Sequence, residues 1–378
     1  MWVHSGRLPH VLPPAAYHEP AIYARELEML FERSWHCVGT LDALRSPGDF
    51  VTIELLDQPV LVRNCDGELR AFQNVCAHRH SVLVSEPRGT SPRIRCQYHG
   101  WEYDADGRTC RVPDARSFRP IERGGDGLRR FRAASCGQLV FVSLAEHGAE
   151  LREELGERTW ELVEERFSAA YRETEVWTIE HAANWKIVVE NSLEGYHLPV
   201  VHPRSLRKLS AEASSTHVMD PRFTSLENTI PPGGAAMSWV AQQWSRAPAR
   251  GYRHHLAYPS FMLALTDLSS MAQIVVPTSP RTSRSLVFSF VHGGDGRWLP
   301  RALAPIVGRV VNRFIQQVQG EDNAMFPNIQ RGMRSSEHAG AIGAREERVH
   351  AFQRYVERAT SPDRTEPERG SAARGTAE

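Results

Sequence analysis

The sequence lacks two features that define large classes of proteins: a long apolar run and an excess of charge of one sign. Its 378 residues contain no apolar stretch of the ~18 residues that a membrane-spanning helix needs. Lys+Arg and Asp+Glu both number 45, so the formal net charge is zero. A dedicated nucleic-acid surface would show a basic excess, so we expect neither a membrane nor a nucleic-acid partner.

A secretory signal is also missing from the N-terminus. Residues 1–20 contain no basic segment followed by an apolar one, so we expect a cytoplasmic protein. In a reducing compartment, cysteines are free thiols or metal ligands more often than disulfides. The six cysteines are Cys37, Cys65, Cys76, Cys96, Cys110 and Cys136.

The length suits two domains. Short β runs separated by turn residues fill residues 40–145 and predict a compact β domain. Strand-like runs at 261–267, 271–277 and 285–292 predict a second sheet. Helical spacing is found at 17–36, 149–167, 184–198, 303–333 and 345–358, whereas 207–250 predicts a mobile loop and 361–378 a disordered tail.

The first chemical motif is a pair of short Cys–His loops in the β domain. Cys76 and His78 are followed, after 17 residues, by Cys96 and His99. In a Rieske centre two thiolates hold one iron and two imidazoles hold the other, so each loop must supply both residue types within a short span. A zinc site made of two cysteines and two histidines is the alternative, although zinc loops usually pair Cys with Cys and His with His.

The second motif lies at residues 184–202. On a helix, Glu190, Glu194 and His197 would share one face, because residues three or four apart are neighbours. Pro199 is expected to end that helix, so that His202 can bend back toward His197. Two histidines and one carboxylate form the facial triad of non-haem Fe(II) oxygenases, which leaves coordination positions open.

The carboxylate of this triad is open to three interpretations. Asp322 lies on a long amphipathic helical segment and is preferred to its neighbour Glu321, while Asp267 is a more distant alternative. The structural alternative is that Glu321 and Asp322 are no more than a solvated helix face.

Together the two motifs resemble the α (catalytic) subunit of the Rieske non-haem iron ring-hydroxylating oxygenases. The resemblance runs through CAH…CQYHGW, NWKIVVENSLEGYHLPVVH and QVQGEDNAMFPNIQRGM, within residues 35–358. It implies an α+β fold in which an N-terminal all-β Rieske domain precedes a C-terminal helix-grip catalytic domain, an antiparallel sheet with helices. The domains implied are a helical segment at 1–39 packed on the catalytic domain, a Rieske domain at 40–146, a catalytic domain at 147–360 and a disordered tail at 361–378.

The resemblance also implies a role for each residue. A [2Fe-2S] cluster would be held by Cys76, His78, Cys96 and His99, and a mononuclear Fe(II) by His197, His202 and Asp322. Glu194 would bridge His197 to His99 of a neighbouring subunit in a head-to-tail homotrimer, and Asn191 is a further candidate catalytic residue.

The implied partners are O2, a small organic substrate and an electron donor. No flavin or nicotinamide fingerprint occurs in the chain, so NAD(P)H would act through a separate reductase or ferredoxin. Hydroxylation, dihydroxylation and oxidative demethylation all stay open. A protein that only transfers electrons, and a degenerate structural homologue, are the alternatives.

The sequence departs from the family pattern at two places. Arg79-His80 stands where the family often has Arg-Gly, and Glu194 stands where it often has Asp. Glu at that position occurs in the branch that acts on trimethylammonium compounds. A cation–π cage for such a substrate could be built from Trp239, Trp244, Tyr252 and Tyr258, although ordinary core or pocket aromatics are the preferred interpretation.

Overall fold

The computed structural model describes residues 4–119, 127–203, 205–206, 215–228, 244, 251–294 and 296–361. Within these ranges the chain forms two seven-stranded sheets and one three-stranded sheet, and every strand pair is antiparallel. The described part of residues 35–143 consists of strands, turns and short 3₁₀ helices, and the C-terminal half is a sheet with helices. The predicted α+β class is therefore confirmed.

The first sheet and the small sheet belong to the N-terminal half. Their strands are β1 (Trp35–Thr40), β2 (Asp49–Leu55), β3 (Gln58–Cys65), β4 (Glu68–Gln73), β5 (Arg88–Thr90), β6 (Ile94–Arg95), β7 (Glu102–Tyr103), β8 (Thr109–Arg111), β9 (Arg130–Cys136) and β10 (Leu139–Ser143). The large sheet has the order β1-β10-β9-β4-β3-β2-β5, and β6-β7-β8 form the small one. Asp66 and Gly67 join β3 to β4 with φ angles of 55° and 94°, the positive values that a tight hairpin turn needs.

The second seven-stranded sheet forms the C-terminal half. Its strands are β11 (Tyr171–His181), β12 (Ser215–Met219), β13 (Phe223–Asn228), β14 (Tyr252–Ala257), β15 (Phe261–Leu265), β16 (Ser269–Ser279) and β17 (Thr282–His292), in the order β11-β17-β16-β15-β14-β13-β12. The three predicted strand runs correspond to β15, β16 and β17. Strands β12 and β13 lie inside the segment 207–250 that we predicted as a loop, and that part of the prediction was wrong.

Seven α-helices of the described chain connect and cover the sheets. They are α1 (Pro20–Glu26), α2 (Leu151–Arg166), α3 (Trp185–Ser192), α4 (Leu198–Val201), α5 (Trp298–Asn323), α6 (Phe326–Ser335) and α7 (Glu347–Ala359). Among these described helices, none combines the length and apolar content needed to cross a bilayer. Helix α5 packs across β11 and β17, and α3 packs on β16. The same sheet therefore carries both helices that lead to the second motif.

Helix α5 approaches the sheet most closely at Gly308. A Cβ atom added there would lie 2.4 Å from Cγ2 of Thr174 on β11, so only glycine lets the helix pack at this depth. Two hydrogen bonds continue the contact along the helix: Ser289 Oγ donates to Asn312 Oδ1 over 2.7 Å, and Trp177 Nε1 donates to Gln319 Oε1 over 3.1 Å.

The apolar core joins the two halves of the chain. Phe141 of β10 and Phe261 of β15 meet edge to face with ring centroids 5.4 Å apart. A second core cluster packs the N-terminal segment, including Leu30 and Phe31, against Trp185 of α3. Because the N-terminal segment packs against α3 of the C-terminal half, it helps to fix the helix from which the second motif departs.

Three sequence-based boundaries differ from the structure. The helix predicted at 17–36 consists of α1 and a wider π-helical turn, Leu27–Phe31, and the chain is already strand β1 at Trp35. The first sheet thus begins five residues before the proposed domain boundary at residue 40. The helix predicted at 303–333 is two helices, α5 and α6. Most of the predicted tail, from residue 362 onward, lies outside the described residues.

Candidate metal centres

The two Cys–His loops have the same backbone construction. Cys76 N donates to Ser81 O and His80 N donates to Cys76 O, over 2.8 and 3.0 Å. The second loop repeats both bonds at the same spacing: Cys96 N donates to Trp101 O over 2.8 Å, and Gly100 N to Cys96 O over 3.0 Å. Each loop is closed by strand pairing between the residues that flank it, Val75 with Val82 and Arg95 with Glu102. The short spacing in the sequence is therefore sufficient to shape each loop.

The four predicted cluster residues meet at the tips of these loops. Cys76 and Cys96 are buried, and the rings of His78 and His99 have centroids 4.7 Å apart. Trp101 is buried and stacks on His78 at 5.0 Å with parallel planes, as expected for a residue that shields the loops from water. Nδ1 of His78 is buried without a hydrogen-bond partner among the described residues, which suits a nitrogen directed at a metal.

Hydrogen-bonding groups surround both sulfur atoms. Burial acts to raise the pKa of Cys96, but hydrogen bonds from the backbone N–H groups of Tyr98 and His99 outweigh it and lower that pKa. Tyr103 hydroxyl lies 3.1 Å from Cys76 Sγ and accepts a hydrogen bond from Ala77 N over 2.9 Å. Its hydrogen is then free to point at a thiolate sulfur. Thiolates are the form in which cysteine binds metals, so the four residues fit a [2Fe-2S] cluster.

One departure from the family pattern has a visible conformational consequence. His80, at the fourth position after Cys76, has a φ of 59°, and Gly100 at the equivalent position of the other loop has a φ of 74°. Both loops thus need a left-handed residue at this position, a conformation that glycine adopts without strain and histidine does not. The loop accommodates His80 with local strain.

The second motif does not form one continuous helix. Helix α3 ends at Ser192, and the prediction that Glu190, Glu194 and His197 share a helical face is wrong. The carboxylate of Glu194 accepts hydrogen bonds from the backbone N–H groups of Tyr196 and His197, the donors that would have continued the helix. Glu190 instead faces the N-terminal segment, where it accepts a 2.6 Å hydrogen bond from Tyr17 hydroxyl. Burial raises the pKa of Glu190 to about 7.

Pro199 also has a different place from the one predicted. It lies in the first turn of the short helix α4 and does not terminate α3. Proline is favoured in a first turn because the N–H that it lacks has no partner there. Helix α4 still achieves the predicted result, because its single turn carries the chain from His197 to His202 and leaves their ring centroids 5.3 Å apart.

Asp322, at the C-terminal end of α5, reaches the two histidines. One ligand atom from each of His197, His202 and Asp322 lies within 4.8 Å of the others. Oδ1 of Asp322 is 2.9 Å from His202 Nε2 and 3.5 Å from His197 Nε2. The structure thus groups the three predicted iron ligands. The alternative Asp267 is outside this group and lies in the turn between β15 and β16.

Glu321 has a different contact, which the sequence did not predict. Its Oε2 accepts hydrogen bonds from His202 Nδ1 and from Ser205 Oγ, both over 2.7 Å. Hydrogen bonds from Ser205, His202 and Gln317 lower the pKa of Glu321 to about 2. Glu194 binds Nδ1 of His197 in the same way. Each histidine is therefore oriented by its own carboxylate, the usual arrangement of a metal-binding imidazole.

These carboxylates determine which nitrogen of each ring carries the hydrogen. Because Nδ1 donates to a carboxylate in both rings, a neutral imidazole presents the lone pair of Nε2 to the centre of the group. Nε2 of His202 and Oδ1 of Asp322 are buried, and neither makes a hydrogen bond among the described residues. Two lone pairs that face each other at 2.9 Å repel unless a cation lies between them. The donor set therefore fits a metal ion.

The carboxylates of this group favour positive charge on His197. Burial disfavours a charge on His197, but Asp322 and Glu194 outweigh burial and raise its pKa to about 9. Asn191 lies in the last turn of α3, half-buried, and its side chain makes no hydrogen bond to the described residues. The structure gives it no contact that distinguishes a catalytic role from a structural one.

The described members of the four aromatic residues considered for a cation–π cage do not surround one point. Tyr252 begins β14 and Tyr258 follows its last residue, so about 20 Å of extended chain separates them. Nε1 of Trp244 donates to His292 O over 2.7 Å at the end of β17. Trp239 lies outside the described residues. Tyr252 and Tyr258 therefore cannot both line one cage.

Comparisons with known proteins agree with this arrangement. The model of the ring hydroxylating alpha subunit (catalytic domain) matches residues 168–361, and the model of the Rieske [2Fe-2S] domain matches residues 34–131. The glycine betaine monooxygenase oxygenase subunit of Chromohalobacter salexigens is 32% identical over 216 residues, which are 57% of this chain and 47% of that protein. The chloroplastic choline monooxygenase of Spinacia oleracea is 26% identical over 333 residues, 86% of this chain and 72% of that protein. The match thus spans about half the length of the glycine betaine relative.

Solved structures share the fold. The quaternary ammonium Rieske monooxygenase CntA in complex with L-carnitine superposes with a TM-score of 0.75 at 18% identity, over 94% of this chain and 96% of that one. Naphthalene 1,2-dioxygenase with indole in its active site gives 0.73 at 19%, over 94% and 95%. At such identities the likeness concerns the fold. The Rieske model implies the predicted [2Fe-2S] cluster, and the catalytic-domain model implies the mononuclear iron. With more than half of its length matched by the catalytic-domain model, the chain belongs to the family of ring-hydroxylating alpha subunits.

Proposed function

We propose that this chain is the terminal oxygenase component of a Rieske-type system, a mono- or dioxygenase. It uses O2 and electrons from a separate NAD(P)H-dependent reductase, directly or through a ferredoxin, to oxidise a small organic substrate. One observation carries the proposal: three lone-pair atoms, of His197, His202 and Asp322, converge in a chain that also holds two Rieske-type loops.

The residues that would hold each metal follow from the contacts. Cys76 and Cys96 supply thiolates to one iron of the [2Fe-2S] cluster, and His78 and His99 supply imidazoles to the other. The group of two histidines and one carboxylate holds a mononuclear Fe(II). When bound, Fe(II) in such a group supplies open coordination positions at which O2 is activated beside the substrate.

The chain's own residues prepare this group in two ways. Glu194 and Glu321 keep the Nδ1 hydrogens of His197 and His202, so that both Nε2 lone pairs face inward. Glu194 also accepts the backbone N–H of His197 over 3.2 Å, which fixes the chain at the point where α3 has ended. A metal therefore meets ligands that are already oriented, and its binding displaces the proton that His197 holds below about pH 9.

The assembly we propose is a head-to-tail homotrimer. His99 and Tyr98 are exposed at the tip of the second Rieske loop, and Tyr196 and Val200 are exposed beside Glu194. In the assembly, His99 of a neighbouring copy would donate a hydrogen bond to Glu194. One carboxylate would then connect the two metal sites of adjacent chains.

Two other functions fit the observations less well. A protein that only transfers electrons would have no use for a second group of buried, mutually repelling acceptor atoms. A degenerate homologue would have lost a ligand, whereas all seven candidate residues are present in the described chain and lie in their expected groups.

For the substrate we place trimethylammonium compounds first. Glu194 stands at the bridging position, as in the branch that acts on them, and the relatives include proteins named for glycine betaine and choline. An anthranilate 1,2-dioxygenase large subunit from Acinetobacter baylyi, 32% identical over 201 residues (49% of this chain and 41% of that protein), makes aromatic acids the second class.

Iron analysis and a substrate panel test the proposal. Iron-loaded protein should contain about three iron atoms per chain, two in the cluster and one mononuclear, and Asp322→Ala should lose only the third. With a reconstituted reductase, O2 uptake and product should be stoichiometric for glycine betaine, choline, L-carnitine or anthranilate. Two iron atoms per wild-type chain would contradict the oxygenase function. Three iron atoms without turnover of any of these compounds would contradict the substrate classes.

A further inference from the structure

Beneath the last turn of α5, side chains form a continuous run of hydrogen bonds that starts and ends on β11. Trp177 Nε1 donates to Gln319 Oε1 over 3.1 Å, Gln319 Nε2 to Gln273 Oε1 over 3.1 Å, and Gln273 Nε2 to Ser285 Oγ over 2.9 Å. The run then passes from Ser285 Oγ to His181 Nε2 over 2.7 Å and from His181 Nδ1 to Asn323 Oδ1 over 2.6 Å. It ends with the bond from Asn323 Nδ2 to Glu180 O over 3.1 Å. We call these six bonds the Trp177–Glu180 relay.

The groups at the two ends of the relay set the direction in which its hydrogen bonds are donated. The indole N–H of Trp177 can only donate, and the backbone carbonyl of Glu180 can only accept. With both ends fixed, every amide between them has one orientation, and Nδ1 of His181 must carry a hydrogen. Burial lowers the pKa of His181, which agrees with a neutral ring. Bonds that run in one direction polarise and strengthen one another, so the relay acts as a unit.

The relay contacts α5 on both sides of Asp322 in the sequence. Gln319 is one helical turn before Asp322, and Asn323 follows it directly. His181, Ser285 and Gln273 are 4%, 0% and 9% exposed. The relay therefore connects Gln319 with Asn323 through the interior of the sheet. None of the relay residues belongs to the three-residue metal group.

The last turn of α5 needs such anchors. Backbone bonds close the end of this helix, from Ala324 N to Gly320 O over 3.1 Å and from Met325 N to Asp322 O over 2.9 Å, but they do not fix where the turn lies on the sheet. Gly320 lies in this turn, two residues before Asp322, and weakens the helix there relative to alanine. Oδ1 of Asp322 lies 2.9 Å from Nε2 of His202 and 3.5 Å from Nε2 of His197, and these distances depend on where the last turn of α5 lies on the sheet.

We propose that the Trp177–Glu180 relay positions the Asp322 carboxylate for the mononuclear metal, and that Gln273, Ser285 and His181 are positioning residues of that site. The inference rests on the proposed function in one respect, the role of Asp322 as a ligand. It adds that the affinity for the metal depends on a polar network inside the sheet, none of whose residues is itself a ligand.

Strand β17 supplies a matched control for the test. Ser285 and Ser289 are both 0% exposed. Ser289 Oγ also bonds α5, but through Asn312, ten residues before Asp322. Ser285→Ala breaks the relay, whereas Ser289→Ala removes an equally buried bond to the same helix outside the relay. Gln273→Met keeps the length of the side chain and breaks the relay at two bonds.

The measurement is the Fe(II) dissociation constant of protein depleted of its mononuclear metal, determined anaerobically, with the cluster absorption as the measure of folded protein. Loss of a group that orients a metal ligand typically weakens binding about 10–100-fold. Ser285→Ala and Gln273→Met should each raise the dissociation constant by about tenfold, near the lower end of that range because no ligand is touched directly. Ser289→Ala should change the dissociation constant by less than about twofold, because sites that share no partners act nearly independently of one another.

A double mutant separates a relay from general packing. If Ser285 and Gln273 act through one relay, the double variant should bind Fe(II) about as weakly as either single variant. Ser285→Ala combined with Ser289→Ala should show independent effects. Equal weakening by Ser289→Ala, or wild-type affinity in Ser285→Ala, would overturn the relay while leaving the ligand set in place. Full Fe(II) binding by Asp322→Ala would instead overturn the ligand assignment in the proposed function.

Discussion

The two candidate metal centres of this chain are built in opposite ways. The cluster loops span residues 76–101, and each is shaped by two of its own backbone hydrogen bonds and one pair of flanking residues. The mononuclear group takes its histidines from one segment and its aspartate from a helix about 120 residues later. Its ligands are oriented by Glu194, Glu321 and the relay rather than by a local loop. A local site is specified by spacing, whereas a distributed site is specified by the packing of the whole sheet.

If the two centres form independently, removing one of them should leave the other intact. Cys96→Ala should abolish the visible absorption and the reduced-state EPR signal of the cluster, because one thiolate cannot be replaced by the remaining loop residues. The mononuclear group shares no residue with the loops, so the variant should still bind one Fe(II) per chain in an anaerobic titration.

Cys110→Ala is the matched control for that substitution. Cys110 is exposed and lies outside the two loops, on β8, so its loss should leave the cluster spectrum intact. A cluster spectrum that persists in Cys96→Ala, or disappears in Cys110→Ala, would show that the cluster residues are wrongly assigned.

How much of each centre could be predicted follows from the same difference. The four loop residues and the pair His197 and His202 could be predicted from residue types and spacing, whereas Asp322 was only the preferred one of three candidate carboxylates until the resemblance to the family implied it. The end of α3 at Ser192 could not, because it depends on the side chain of Glu194 capturing backbone N–H groups that helical periodicity assigns to the helix.

Long-range contacts explain the other differences. Glu190 was predicted to share a helical face with Glu194 and His197, but its partner is Tyr17, 173 residues away in the sequence. The contact of Glu321 with His202 is of the same kind, and neither carries a periodic signal. Strands β12 and β13 were not predicted because they are short and lie among residues typical of loops, which obscure any alternation of buried and exposed residues. Strands β15 to β17 were predicted because they are hydrophobic.

The next largest effect concerns the residue that would join the two centres. Glu194→Ala removes the acceptor of His197 Nδ1 and, in the proposed trimer, the bridge to His99 of a neighbouring copy. Both metals should stay bound, but reoxidation of the pre-reduced cluster by O2 and substrate should slow by about 10–100-fold or more. The measurement is single-turnover cluster reoxidation, normalised to iron content.

Glu190→Gln is the matched control, since Glu190 lies one turn earlier and bonds Tyr17 and Gln353 instead of a histidine. Its reoxidation rate should equal that of the wild type. A wild-type rate in Glu194→Ala would remove the bridging role and, with it, the main reason to expect a functional trimer.

A smaller effect tests how far the distributed centre depends on helix packing. Gly308→Ala places a methyl group 2.4 Å from Thr174 Cγ2, so α5 must move away from β11. Overpacking of this kind typically costs about 1–3 kcal/mol of folding stability. Urea unfolding of the catalytic domain, followed by tryptophan fluorescence, should show the loss, while the cluster spectrum should not change. Gly320→Ala, with open space around the added carbon, should leave stability unchanged or higher. Equal stability of the Gly308→Ala variant would show that α5 is not held at this contact.

The smallest effect lies within the local centre, where the two loops differ at one equivalent position. His80 and Gly100 both have positive φ angles, 59° and 74°, and only glycine is unstrained there. The left-handed conformation costs an ordinary residue about 1–2 kcal/mol, and glycine gives back about 0.5–1 kcal/mol through its greater freedom in the unfolded chain. His80→Gly should therefore stabilise the cluster domain by up to about 1.5 kcal/mol, and Gly100→Ala should destabilise it by a similar or larger amount. Bleaching of the cluster absorption in urea reports the stability of both variants. Because the two loops have equivalent backbone hydrogen bonds, the midpoints of the two urea transitions should shift in opposite directions. A lower midpoint for His80→Gly would mean that the histidine ring makes a stabilising contact that outweighs its strain, and the two loops would then not be energetically equivalent.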